Sequence, residues 1–504
     1  MMNEIRNETM RQLIDLAIRS GRKKQSTQTG YIHFCNNVAE DEKHDPIPLY
    51  ENLLFALALL RSRISENVLE AKNLIEKLLH FQIHHGVFTG NFPIYLHEYP
   101  VCNQRLLGAD LLPVFYWIHK SFHHILGSEL KLRLEAALSS LAEFNLKTLQ
   151  EKPAPYTLTL KIAASAKMIG HLLNLKSLED QGSLLLSELL SNTNSKALYC
   201  PADLADCVIA LQMVYPLISD SPWEHLWKHL AVTWHQPTCS YIGPSLKEYQ
   251  CGSEPEPTHY DLLMGYLTKS LPERALGDQL YHLKAALIQP TDDHLPPSQH
   301  HISYSGDING REWHILKTDQ YAYSCFATEE ISNPLEKGLH PLKLVWGNAD
   351  RLHTLVCQGG NSTDVEFESV EDGLDLLFTL DTPLPQDDKE KSREIGFYFD
   401  SHQETQFSIL GQSTNTFQIG DLLQIAFPEL NLEMQFTVVE GAGRFFGHIM
   451  PGNRPSQVSI KGNHSHHCPA YDWQVFLRTL ERKEKCVVRV KIRVKTMNET
   501  IKEK

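Results

Sequence analysis

The sequence lacks several features that would have assigned it a chemistry at once. Its ten cysteines are scattered and none forms a CxxC pair, so neither a zinc knuckle nor a thioredoxin-like motif is present. Dispersal of this kind in a 504-residue chain points to reduced thiols rather than a disulfide framework. There is no GxSxG nucleophile elbow, which leaves serine-hydrolase chemistry unsupported. Gly441-Ala442-Gly443-Arg444 lacks the GK[ST] of a phosphate loop and reads as a turn between strands. Positive charge is short too. A net charge of -14 argues against broad binding to nucleic acid or an anionic membrane. The longest clean apolar run, Leu53 to Leu60, is far below the roughly 20 residues of a membrane span. The N-terminus, Met1-Met2-Asn3-Glu4-Ile5-Arg6, has no uninterrupted apolar core and no small-residue cleavage site. A cytoplasmic location is therefore expected for the chain as given, with export by another route left open.

An apolar fraction of 42% and a charged fraction of 21% describe packed globular structure, and the length calls for two domains. Apolar residues at a 3-4 spacing mark helices through the first part. Val68, Ala71, Leu74, Ile75, Leu78 and Leu79 follow Ser65, which is expected to cap the helix. A second helix runs from Ser128 towards Gln150, and a third begins at Pro201, a favoured first helical position. About eleven helices are expected before residue 290. Leu53 to Leu60 and Leu111 to Ile118 are apolar on every side and must be covered on every side, as an inner ring wrapped by an outer ring would achieve. Ala163, Ala164, Ala166 and Gly170 would let helices approach closely. Phe81, Phe88 and Gly90 share their spacing with Trp234, Tyr241 and Gly243, a faint echo of a repeated helical hairpin.

The pattern changes near residue 290. Residues 291–300 have linker composition, and beyond them short alternating runs are separated by Gly, Asn, Asp and Pro. In the clearest run, Val488, Val490, Ile492 and Val494 alternate with Arg489, Lys491, Arg493 and Lys495, the period of a half-buried strand. Further strands are expected at 396–400, 422–427, 432–439 and 475–480. The expected organisation is a helical toroid over 1–290, a linker over 291–300 and an antiparallel β-sandwich over 301–504.

A toroid of helical hairpins followed by antiparallel sheets resembles the heparinase II/III-like and chondroitin or hyaluronate lyase families. Two stretches carry local texture: Gly86-Val87-Phe88-Thr89-Gly90-Asn91-Phe92-Pro93, and the Tyr241 to Tyr260 loop. The resemblance implies a carbohydrate-active protein, in the sharpest form a lyase that cleaves uronate-containing glycans by β-elimination. An oligo- or polysaccharide is the expected partner, with no nucleic acid, no membrane, no cofactor and no metal. Such a reaction needs a group on the substrate carboxylate, a base and an acid. The resemblance implies Asn or Arg for the first, and His and Tyr for the protons.

Two loop clusters supply those residue types. The catalytic candidates are His259, Tyr260, His97 and Tyr99. Asn91 and Arg105 are candidates for the carboxylate, with Tyr241, Glu248 and Tyr249 lining the second loop. Arg311 and Trp346 are candidates from the β part. Hydrolysis would instead require two carboxylates, for which Glu98 and Glu248 are the candidates. A toroid that binds a glycan without catalysis, or that serves protein contacts, is the remaining alternative. His119 and His123 have metal-ligand spacing but lack the glutamate of HExxH, and His464, His466, His467 and Cys468 read as a loop.

Overall fold

The computed structural model describes residues 2–34, 46–191, 200–215, 217–218, 220–244, 257–272, 275–291, 301–308, 311–327, 340–359, 363–370, 373–380, 395–399, 405–451 and 473–496. The chain forms two compact units. The first comprises Met1–Leu230 and Pro257–Pro296, the second Ala231–Glu256 and Pro297–Lys504. A short excursion of the chain, 231–256, thus belongs to the second unit although helices flank it on both sides.

The first unit is helical. Its elements begin with α1 (Met2–Lys24), α2 (Leu49–Ser62), α3 (Ser65–Leu79), α4 (Leu107–Leu126) and α5 (Ser128–Glu151). They continue with α6 (Tyr156–Leu173), α7 (Lys176–Ser191), α8 (Pro201–Val214), α9 (Asp220–Thr233) and α10 (His259–Thr268). A 3-10 segment, Leu280–Leu287, closes the unit. Packing neighbours run α1–α2–α4–α6–α8–α10 and back to α1, which is a closed ring. On its outside α3 packs on α2, α5 on α4, and α7 on α6. The apolar helices are those of the ring: Leu53 to Leu60 of α2 are all 1% exposed or less, as a helix without a polar face demands. Each such leucine contributes roughly 1.5–3 kcal/mol by leaving water. The small residues do what their size allows. Gly170 of α6 lies so close to the α7 backbone at Glu179, and Gly182 of α7 to that of Lys167, that a Cβ at either would collide. One local expectation fails: Ser65 is the first helical residue of α3, the N-cap is Ile64, and no side chain caps that end.

The second unit opens with a small hairpin, β1 (Trp234–His235) and β2 (Ser240–Tyr241), in which Trp234 faces Tyr241. This corrects the echo of Phe81 and Phe88: in one copy the spacing spans a two-stranded hairpin, and in the other the turn after α3. The strands that follow are β3 (Ile302–Ile308), β4 (Arg311–Lys317), β5 (Tyr321–Phe326), β6 (Leu342–Gly347) and β7 (Leu352–Gly359). Next come β8 (Thr363–Val370), β9 (Gly373–Leu380), β10 (Ile395–Phe399), β11 (Gln406–Ile409) and β12 (Thr416–Phe417). The last five are β13 (Leu422–Ala426), β14 (Leu430–Glu440), β15 (Gly443–Pro451), β16 (Trp473–Arg482) and β17 (Cys486–Thr496).

These strands form a nine-stranded sheet, β12-β15-β16-β10-β7-β6-β5-β4-β3, and a six-stranded sheet, β11-β13-β14-β17-β9-β8. All neighbours are antiparallel. One apolar core joins the two sheets: Tyr323, Trp346 and Phe397 from the larger meet Phe378, Met434 and Val490 from the smaller. This is the expected sandwich. Strand β17 lies inside the smaller sheet between β14 and β9, with Val488, Val490 and Ile492 fully buried. Its basic residues pair across the outer face, Arg493 with Asp375 at 2.9 Å and Lys495 with Glu433 at 3.6 Å.

Candidate active site

The sequence-derived candidates separate once placed. Asn91 is fully buried and donates to the Gln104 carbonyl at 2.9 Å, so it braces the loop ahead of α4. Arg105 is committed to Glu151 at 2.5 Å and lies over the Phe88 ring. His97 is exposed and stacks on Tyr95, while Tyr99 meets Phe81 edge-on. Glu98 accepts from the backbone of Ile94 and Tyr95 as part of a capping box. Tyr260 is fully buried in α10. In the second unit, Tyr241 donates to the Pro244 carbonyl at 2.9 Å, and Trp346 is fully buried against Phe427. Arg311 begins β4 opposite Ile308. Glu248, Tyr249 and the His464–Cys468 tract lie outside the described residues. His119 bonds Glu135 at 2.8 Å, and among the described residues no group of three or more His, Cys, Asp or Glu is arranged to hold a metal.

His259 stands apart from these. It is the first residue of α10, 3% exposed, behind an N-cap in which Thr258 accepts from the Tyr260 amide and donates its own amide to Asp261. Its Nε2 lies 2.9 Å from Asp206 Oδ1 of α8. The other oxygen of Asp206, Oδ2, is 2.6 Å from Lys161 Nζ of α6. Lys161 in turn bonds Asp110 Oδ1 of α4, also at 2.6 Å. Tyr50 of α2 feels the charges of Asp110, Lys161 and Asp206. Lys284, from the 3-10 segment, acts on Asp206, His259, Asp203 and Glu51.

Five helices of the ring thus each send one or two polar side chains to a common place, all from their first two turns. That end of a helix carries unsatisfied N–H groups and the positive pole of its dipole, which favours anions.

Burial raises the Asp206 carboxyl, but the ammonium of Lys161, then His259 and Lys284, more than reverse this and hold it well below the usual range. Burial would likewise depress Lys161, yet Asp206 and Asp110 keep its ammonium well above the ordinary lysine value. His259 is lowered by burial and by Lys284, against the opposing pull of Asp206. Burial, then Asp110, pushes Tyr50 well up. Glu51 and Asp203 are raised, each chiefly by burial.

The protonation pattern follows. Asp206 is ionised, so it accepts, and the proton of the neutral imidazole sits on Nε2. Nδ1 is left as a lone pair, with no hydrogen-bond partner among the described residues. The Tyr50 hydroxyl is protonated. Neither it nor the Lys284 ammonium has a hydrogen-bonding or ion-pair partner among the described residues.

His259 is among the sequence candidates, whereas Tyr50, Asp110, Lys161, Asp206 and Lys284 are not, because those candidates lie in segments read as loops. A usable signal was there. Asp110, Lys161 and Asp206 are charges set inside otherwise apolar helical stretches such as Leu204-Ala205-Asp206-Cys207-Val208, and a charge in such a place must find a partner.

No family model matches the chain, and no curated protein sequence does. Among solved structures, the Streptomyces coelicolor A3 chondroitin AC lyase in complex with chondroitin sulphate is similar over 97% of this chain and 79% of its own, with a TM-score of 0.52 and 7% identity. A heparinase III aligns over 97% of this chain and 84% of its own, with a TM-score of 0.36 and 8% identity. The chain has the helical-toroid and antiparallel-sheet architecture of the chondroitin AC lyase, a likeness of fold alone.

Proposed function

We propose that the ring site catalyses β-elimination on a uronate-containing glycan. The observation that carries this reading is the Asp206–His259 pair, an ionised buried carboxylate that holds a neutral imidazole with its other nitrogen free. In this reading Nδ1 of His259 takes the proton next to the uronate carboxylate, and Asp206 stabilises the imidazolium that results. Lys284 and the N-terminus of α10 neutralise the carboxylate as charge builds on it. The bond from carbon 4 to the glycosidic oxygen breaks, and the Tyr50 hydroxyl gives its proton to the departing oxygen. One product carries a new carbon–carbon double bond and the other a free hydroxyl. Solvent returns the two side chains to their starting states. The similar Streptomyces structure is a chondroitin AC lyase in complex with chondroitin sulphate, which supports the substrate class.

The test is the ultraviolet absorbance of the unsaturated product against a panel of uronate polymers. Wild type should generate it, and His259→Ala should lose at least about 100-fold in rate. A flat trace over the whole panel sinks the proposal.

Hydrolysis has one observation in its favour. Glu51 and Asp203 are pushed up while Asp206 is pushed down, the split that separates a carboxylic acid from a carboxylate base. Release of reducing ends without ultraviolet absorbance would select this second reading.

A further inference from the structure

We propose that Lys161 is a positioning residue, a buried clamp that fixes the Asp206 carboxylate and, through it, the ring of His259. This rests on the base assignment just made and assigns a further member to that site.

A carboxylate turns freely about its last torsion, where side chains have broad and roughly two-fold preferences. Asp206 cannot, because Oδ2 is 2.6 Å from the Lys161 ammonium while Oδ1 receives the imidazole at 2.9 Å. The ammonium is itself held from the far side by Asp110 at 2.6 Å. The line Asp110–Lys161–Asp206–His259 therefore crosses α4, α6, α8 and α10 and ends at the free Nδ1. Lys161 stands behind Asp206 in this line, with its charge taken up by two carboxylates, so it supplies orientation and not contact with substrate. The other titratable groups facing this line are Tyr50 and Glu51 of α2, Asp203 and Cys207 of α8, Cys200 just ahead of it, and Lys284, and all of them remain when Lys161 is replaced.

Two readouts test the clamp on the full chain. The first is NMR titration of the His259 imidazole, assigned by its absence from the spectrum of His259→Ala. Removing the cation in Lys161→Met should move the midpoint upward, since Lys161 lowers it in the wild type. In Asp110→Asn the charge of Lys161 is less compensated, and the midpoint should move the other way. That variant also serves if Lys161→Met fails to fold, because Asp110 is partly exposed. The second readout is kinetic. Lys161→Met should reduce kcat about 10- to 100-fold with KM within about twofold, the cost of a misaligned base. Lys161→Arg, which keeps the cation, should restore most of it.

A His259 midpoint that stays put in both variants, with only the melting temperature lowered, overturns the clamp. Opposite shifts of the midpoint in a protein inert towards every uronate polymer would uphold the clamp and sink the β-elimination reading instead.

Discussion

Each unit of the protein buries lysine, and Lys161 and Lys317 behave oppositely. Lys161 in the helical unit is 7% exposed and faces two carboxylates, which hold its ammonium well above the ordinary value against the pull of burial. Lys317 in the sheet unit is 2% exposed and donates to main-chain carbonyls, those of Ala231 at 2.7 Å and Trp234 at 3.0 Å, with no ion pair among the described residues. Burial brings it down to about 8. The same side chain at similar depth is therefore kept charged in one place and driven towards neutrality in the other. The difference lies in the partners. A carbonyl offers a dipole and a carboxylate a full charge, and only the charge offsets the loss of water. Lys317 ties down a segment of chain, whereas Lys161 belongs to an electrostatic network at whose edge Tyr50 and Lys284 have no hydrogen-bond or ion-pair partner among the described residues.

The largest separation should appear in stability. Lys161→Met leaves Asp110 and Asp206 facing each other without a cation and should cost about 3 to 5 kcal/mol in urea unfolding. Lys317→Met removes a donor from two carbonyls and should cost about 1 to 3 kcal/mol. Equal costs would mean that the two lysines do the same work.

The pH dependence should separate them next. The Lys317 ammonium is disfavoured by folding. Between about 8 and the ordinary lysine value of about 10.4, the unfolded chain binds the extra proton, and this residue makes stability rise with pH. Lys161 has the opposite sign. Its contribution is complete below the ordinary lysine value and is lost as pH climbs through its higher folded value. Urea unfolding from neutral pH upward, wild type against Lys317→Met, should show that rising component removed. An unchanged slope would contradict the assignment.

A third expectation concerns activity. Because burial and Lys284 lower His259, the acidic limb of the rate profile should fall below the free imidazole value of about 6.5. A limb above that value would point to a different base. The smallest effect belongs to Arg105, whose pair with Glu151 is nearly half exposed on both sides. Arg105→Ala should change stability by less than about 1 kcal/mol and leave kcat within about twofold. A large kinetic loss there would return Arg105 to the candidates for the substrate carboxylate.

Much of this architecture was legible in the residue pattern. Period 3.6 marked α3, α5 and α8, and period 2 marked β17 to within two residues, because a half-buried element must place its apolar side chains on one face. The all-round apolar character of Leu53–Leu60 implied a covered ring helix. The site was less legible. His259 was a candidate as a histidine in a long loop between helices, but its neighbours Asp206, Lys161 and Asp110 lie 53, 98 and 149 positions away in sequence. Local spacing carries no record of such distances.

The amino-acid order by itself thus determined which segments are helices or strands and that single charges were embedded in apolar helices. Burial is a property of periodicity, and it reads along the chain. Tertiary structure alone decided that the charges on α4, α6 and α8 face one another and the first residue of α10. Closing the ring brings those helix ends together, and the sign and strength of each interaction depend on separation in space and on the water that closure removes.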